Sequence, residues 1–84
     1  MGGELARLAE YLCAQGRTEV DLRFSEVERV IGGALPPEAW RSTGWWLAGS
    51  AASDAWESAG WTAKPRVARG VVTFMRKAAE RNRP

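Results

Sequence analysis

Trp61-Thr62-Ala63-Lys64-Pro65-Arg66-Val67-Ala68-Arg69-Gly70-Val71-Val72-Thr73-Phe74-Met75-Arg76 is the stretch on which the fold turns. Val71 to Met75 is rich in β-branched and aromatic residues, which fit a pleated, half-buried surface. Trp61 to Lys64 is a shorter segment of the same kind. Between them lie Pro65 and Gly70, a proline and a glycine that punctuate the chain and mark a turn. The expectation is a β-hairpin whose tip carries Lys64, Arg66 and Arg69.

Working back towards the N-terminus, Val20, Leu22 and Phe24 alternate with Asp21 and Arg23. That period of two points three apolar side chains to one face and predicts a short strand. Leu5, Leu8 and Leu12 with Ala9 form one helical stripe, stopped by Gly16, so a first helix is expected over about residues 3 to 15. Ser25-Glu26-Val27-Glu28 reads as a capping box, Ser25 and Glu28 each satisfying the other's amide. A helix burying Val27, Val30 and Ile31 follows and stops at Gly32-Gly33. Leu35-Pro36-Pro37 then starts another over about 37 to 43, proline being tolerated in a first turn where its missing amide has no partner to lose.

Trp45-Trp46-Leu47 is expected to plug the core, with one indole partly exposed. Ser50 or Ser53 is expected to cap a helix carrying Trp56, running from Ser50 to Ala59 and ending at Gly60. The element order is thus α-β-α-α-(α)-β-β. It predicts a single small α+β domain of winged helix-turn-helix type over residues 1–77, with a basic C-terminal tail over 78–84.

At 84 residues there is material for one core, since chains of this length bury only about 60% of the surface they expose when unfolded. Five Trp, two Phe and one Tyr supply it. Cys13 is the only cysteine, so no internal disulfide forms, and a reducing cytoplasm is the expected location. Cys13 itself is expected to pack in the core, as free cysteines commonly do. No run nears the ~18 apolar residues of a membrane span, and the first residues lack the basic-then-apolar pattern of an export signal, so no membrane partner is expected.

The net charge of +2 conceals a division. Residues 1–63 hold five arginines against nine acids, a balance of −4, while residues 64–84 hold seven cations against Glu80, a balance of +6. A basic arm on an acidic body favours a polyanion, and nucleic acid before a membrane surface. Catalysis is not expected. There is no histidine, the commonest general base, no metal-ligand spacing and no glycine-rich phosphate loop, and no cofactor is implied.

These readings converge on double-stranded DNA as the partner, held by a small transcriptional regulator or accessory DNA-binding protein. Lys64, Arg66 and Arg69 on the wing are the expected phosphate contacts, with Arg76 and Lys77 beyond it. Arg41, Ser42 and Thr43 are the expected recognition segment, because the later helix carries Asp54 and Glu57 instead of cations. Contact with about six phosphates would make affinity fall about 10³-fold or more between 50 and 200 mM salt. Against this, a soluble hairpin needs charged residues at its edge in any case. The alternative is a protein-interaction module, a homodimer or adaptor anchored by exposed tryptophan between Trp40 and Trp46.

Phe24-Ser25-Glu26-Val27-Glu28, Gly32, Leu35-Pro36, Ala39, Trp45-Trp46, Trp56, Ala59-Gly60-Trp61 and Val72-Thr73-Phe74-Met75-Arg76 together resemble the pattern of a family of small bacterial and phage domains. The resemblance spans nearly the whole chain. It implies that the aromatic and glycine positions keep the fold. It also implies a basic, nucleic-acid-facing segment before the tryptophan pair, of which Arg41 is the part present here.

Overall fold

The computed structural model describes residues 3–47, 49–50 and 52–77. The tail expected over 78–84 lies outside the described residues. Strand β1 (Glu19–Arg23) alternates in burial as its sequence alternates, Val20 and Leu22 inward and Glu19, Asp21 and Arg23 outward. It pairs antiparallel with β3 (Val71–Arg76), which pairs antiparallel with β2 (Trp61–Arg66), giving the order β1-β3-β2. The hairpin is thus longer than its β-rich residues alone imply. Pro65 is accommodated because β2 is an edge strand, where a missing donor need not break a ladder.

Four α-helices among the described residues complete the α+β domain: α1 (Gly3–Ala14), α2 (Phe24–Ile31), α3 (Pro37–Arg41) and α4 (Asp54–Glu57). Along α1, Leu8 and Leu12 are buried and Leu5 half-buried, the stripe expected from their spacing, and the chain leaves the helix through Gly16 at φ +67°. The helix packs against α2 and α4. Cys13 is exposed, contrary to its expected place in the core. One residue is about 100° of helical rotation, and Cys13 follows Leu12 off the stripe into solvent.

Phe24 does not continue the strand. Its amide donates to the carbonyl oxygen of Gly70 at 2.8 Å, and it is the first residue of α2. The period-two pattern includes Phe24 because its ring is buried, but the backbone has already turned. The helix start moves accordingly. Glu26 Oε1 accepts from the amide of Arg23 at 2.8 Å, so the reach-back bond forms two residues earlier than the Ser25–Glu28 box would place it. Glu28 is thereby free to bond elsewhere, and its Oε2 accepts from the amide of Leu35 at 2.8 Å, tying the loop before α3 to α2.

The helix expected over 37 to 43 stops at Arg41, after which Ser42 is extended (φ −125°, ψ 126°). A single 3-10 turn follows at Thr43–Trp45. The Ser50-to-Ala59 helix is reduced to the one turn of α4, and neither serine caps it through its side chain. Instead Ser50 Oγ accepts from the Ser53 amide (3.0 Å), while Ser53 Oγ donates to the Ser50 carbonyl (2.9 Å). These bonds close a turn ahead of α4, the local competition with helix that serine offers the backbone.

Between the helices and the sheet lies an aromatic stack. The Trp46 ring is stacked on Phe24 (centroids 4.9 Å apart) and on Trp56 (5.8 Å), and Phe74 meets both tryptophans edge-on. Trp46, Trp56 and Trp61 are fully buried, each ring taking roughly 150–250 Å² out of water. Trp46 Nε1 donates to the carbonyl of Ala39 at 2.9 Å, which fixes α3 against the core. Trp45 is half-buried and is the partly exposed indole of the expected plug, whereas Leu47 is 46% exposed and stands outside it.

Candidate nucleic-acid interface

The inner face of the sheet is spent on the core, so the outer face is what the strands can offer a partner. Register defines three rows on it: Glu19, Met75 and Thr62; Asp21, Thr73 and Lys64; Arg23, Val71 and Arg66. Charge runs along these rows, from an acid at one end, through the Asp21–Lys64 row, to two arginines flanking a valine at the other. In the middle row Thr73 Oγ1 donates to Asp21 Oδ1 at 2.6 Å, so that acid is engaged across the strand pair.

Strands lie about 4.8 Å apart, which sets the Arg23 and Arg66 backbones about 10 Å from each other across Val71. Beyond them the hairpin turns through a 3-10 helix, Val67–Arg69, and Gly70 at φ +66°. Gly70 returns its amide to the Val67 carbonyl (3.1 Å) and offers its own carbonyl to Phe24. Arg66 and Arg69 are both exposed. The tip therefore presents cations from a backbone held in place by its own hydrogen bonds.

Helix α3 packs against that turn. A Cβ placed on Gly70 would sit 3.9 Å from Cζ3 of Trp40, and the Trp40 ring meets Phe24 edge-on at 5.2 Å. Arg41 follows Trp40 and is exposed. Of the segment expected to read DNA, Ser42 Oγ accepts from the Gly44 amide (3.2 Å) and so serves the turn, while Thr43 is exposed at its start.

The structure separates the expected cations into two groups. Arg41, Lys64, Arg66 and Arg69 belong to the hairpin-tip half, joined there by Arg23. Arg76 and Lys77 lie at the far end of β3, about 17 Å away for a strand of this length. Arg76 sits over the Trp61 ring at 5.2 Å. Lys77 Nζ is 2.7 Å from Glu57 Oε1 and also donates to the Glu57 carbonyl, while its amide bonds the carbonyl of Gly60. Lys77 thus closes the hairpin's base against α4, while Arg76 covers Trp61 within the hairpin. Arg23 is the residue that the sequence alone does not single out. Alternation places it outward, but only the pairing of β1 with β3 sets it beside Arg66.

Residues 5–78 match the family model described as a domain of unknown function, DUF7662. The chain belongs to that family. No curated protein and no solved structure matches it. The matched region of this DUF7662 domain holds the whole sheet, the aromatic stack and the cationic tip. Among its described residues no three Cys, Asp or Glu side chains gather where they could hold a metal ion, and no helix is long and apolar enough to cross a membrane. What the tip can do chemically is place several guanidinium groups, each with donors in a fixed fork, on one anionic surface.

Proposed function

We propose that this DUF7662 domain is a DNA-binding domain of winged-helix type that holds duplex phosphates through the tip of its β2–β3 hairpin. The observation that carries the reading is the row Arg23, Val71, Arg66, continued by Arg69 on the turn. The element order, with β1 added to the outside of β3, is that of a winged helix and supports it. Arg41 extends the cationic surface along α3.

In this fold the helix ahead of the hairpin reads the major groove. Here that region is divided among five-residue α3, a 3-10 turn and one-turn α4, and α4 carries Asp54 and Glu57. Base-edge contacts need a helix laid along the groove. Phosphate contact therefore dominates, and binding is expected to tolerate sequence, which favours an accessory DNA-binding role over a site-specific regulator.

The test is a titration of the ¹⁵N-labelled domain with random-sequence duplex. Amide shifts concentrated at Arg23, Arg41 and Arg66 to Gly70 are expected. Shifts confined to the Arg76–Lys77 end would contradict the reading.

The exposure of Leu47 favours a second reading, a homodimer or an adaptor for another protein. A mass that rises with concentration in light scattering, and falls back to monomer with Leu47→Ser, would support it.

A further inference from the structure

An aromatic residue adjoins the cationic tip. Trp40 is 42% exposed; its indole meets the fully buried Phe24 edge-on, and its Cζ3 lies 3.9 Å from where a Cβ on Gly70 would stand. Phe24 and Gly70 are themselves joined by the 2.8 Å amide-to-carbonyl bond. Phe24, Gly70 and Trp40 are thus neighbours, and an exposed arginine stands next in sequence to each: Arg23 beside Phe24, Arg69 beside Gly70 and Arg41 beside Trp40.

We infer that this patch is a binding site for an unpaired nucleobase, with Trp40 as the stacking platform and Arg23, Arg41 and Arg69 holding the phosphates on either side of it. The inference rests on the phosphate-binding reading above and names the DNA it favours: duplex adjoining a single-stranded extension, rather than continuous duplex.

Four features point this way. A paired base hides its face in the stack, so an indole can use its own face only on a base that is unpaired. Trp40 is packed edge-on against the fully buried Phe24, so less side-chain freedom is lost when a base docks. Stacking gains where charge sits alongside, since every nucleotide brings a phosphate with its ring, and the arginines meet that charge. An apolar protein partner would instead have to cover three guanidinium groups, which burial penalises unless each is paired.

The experiment compares fluorescein-labelled blunt duplex, the same duplex with a short thymine extension, and the same duplex with an abasic extension of equal length. The two extensions carry equal charge and differ only in the bases. Wild-type protein is expected to bind the thymine extension about fivefold or more tighter than the abasic one. Trp40→Ala should remove that difference while blunt-duplex binding stays, and Trp40→Phe, which keeps an aromatic face, should retain most of it. Independently of any variant, 2-aminopurine placed as the first base of the extension should lose fluorescence when wild-type protein stacks on it. Equal binding of thymine and abasic extensions, an unquenched 2-aminopurine, or a preference that survives Trp40→Ala overturns the stacking site and leaves the phosphate reading standing. Failure to bind any of the three DNAs overturns both.

Discussion

The amide of Phe24 donates to the carbonyl of Gly70, so the first residue of α2 is fastened to the turn of a hairpin 46 positions further along the chain. That bond fixes where strand gives way to helix, and it sets the hairpin tip beside α3. Gly70 makes it possible by adopting φ +66°.

Gly70→Ala should therefore be costly for its backbone alone. The added Cβ would meet Trp40 at an ordinary 3.9 Å, whereas a left-handed conformation costs a residue with a Cβ about 1–2 kcal/mol. Urea unfolding should show a loss of that size, and Gly70→Asn should lose less. Equal losses for both would mean that the turn does not depend on its left-handed residue.

At the start of α2 the two ways of closing the helix make opposite predictions. With Glu26 bonding the Arg23 amide, Glu26→Ala should cost about 0.5–1 kcal/mol and Ser25→Ala close to nothing. Glu28→Ala should cost more, about 1–2 kcal/mol, because it leaves the part-buried amide of Leu35 without its acceptor. Ser25→Ala as the costliest of the three would restore the capping box read from the sequence.

The buried indoles are not equivalent. Trp46 Nε1 has the Ala39 carbonyl, but Trp56 Nε1 and Trp61 Nε1 are buried with no hydrogen-bond partner among the described residues. Phenylalanine at 46 removes a bond as well as volume; at 56 it removes an unpaired donor, which offsets part of the lost packing. Trp46→Phe should be the more destabilising by about 1 kcal/mol or more in thermal or urea melts. The reverse order would contradict the assigned bonding.

Much of this architecture is legible in the sequence because it rests on local rules. Leu8 and Leu12 repeat as a helix face, Val20 and Leu22 as a strand face, and Gly16, Gly32 and Gly70 stop or turn the chain where expected. What stays hidden depends on contacts distant in sequence. Phe24 keeps the strand's rhythm yet belongs to a helix, because a carbonyl from the hairpin takes its amide. Arg23 joins the candidate site only through the register of β1 on β3. Arg76 and Lys77 count as basic residues in composition, yet Trp61 and Glu57 occupy them at the opposite end of the sheet.

That division can be tested by separating stability from binding. Lys77→Ala should lower stability by up to about 1 kcal/mol, since its ion pair with Glu57 is partly exposed, and should leave DNA affinity nearly unchanged. Arg66→Ala with Arg69→Ala should do the opposite, because both side chains are exposed at the tip. A large affinity loss from Lys77→Ala in a folded protein would place the interface at the wrong end.

Phosphate binding by the hairpin tip is read from the salt dependence of duplex binding, measured by fluorescence anisotropy on random-sequence DNA for wild-type protein and for the Arg23→Ala/Arg66→Ala/Arg69→Ala variant. Each phosphate contact adds about 0.9 to the slope of log K against log salt. Binding by the wild type should be salt-sensitive, and the slope should be shallower by about 2–3 in the variant. The same slope in both proteins, or no binding by the wild type at low salt, would contradict phosphate binding by the tip.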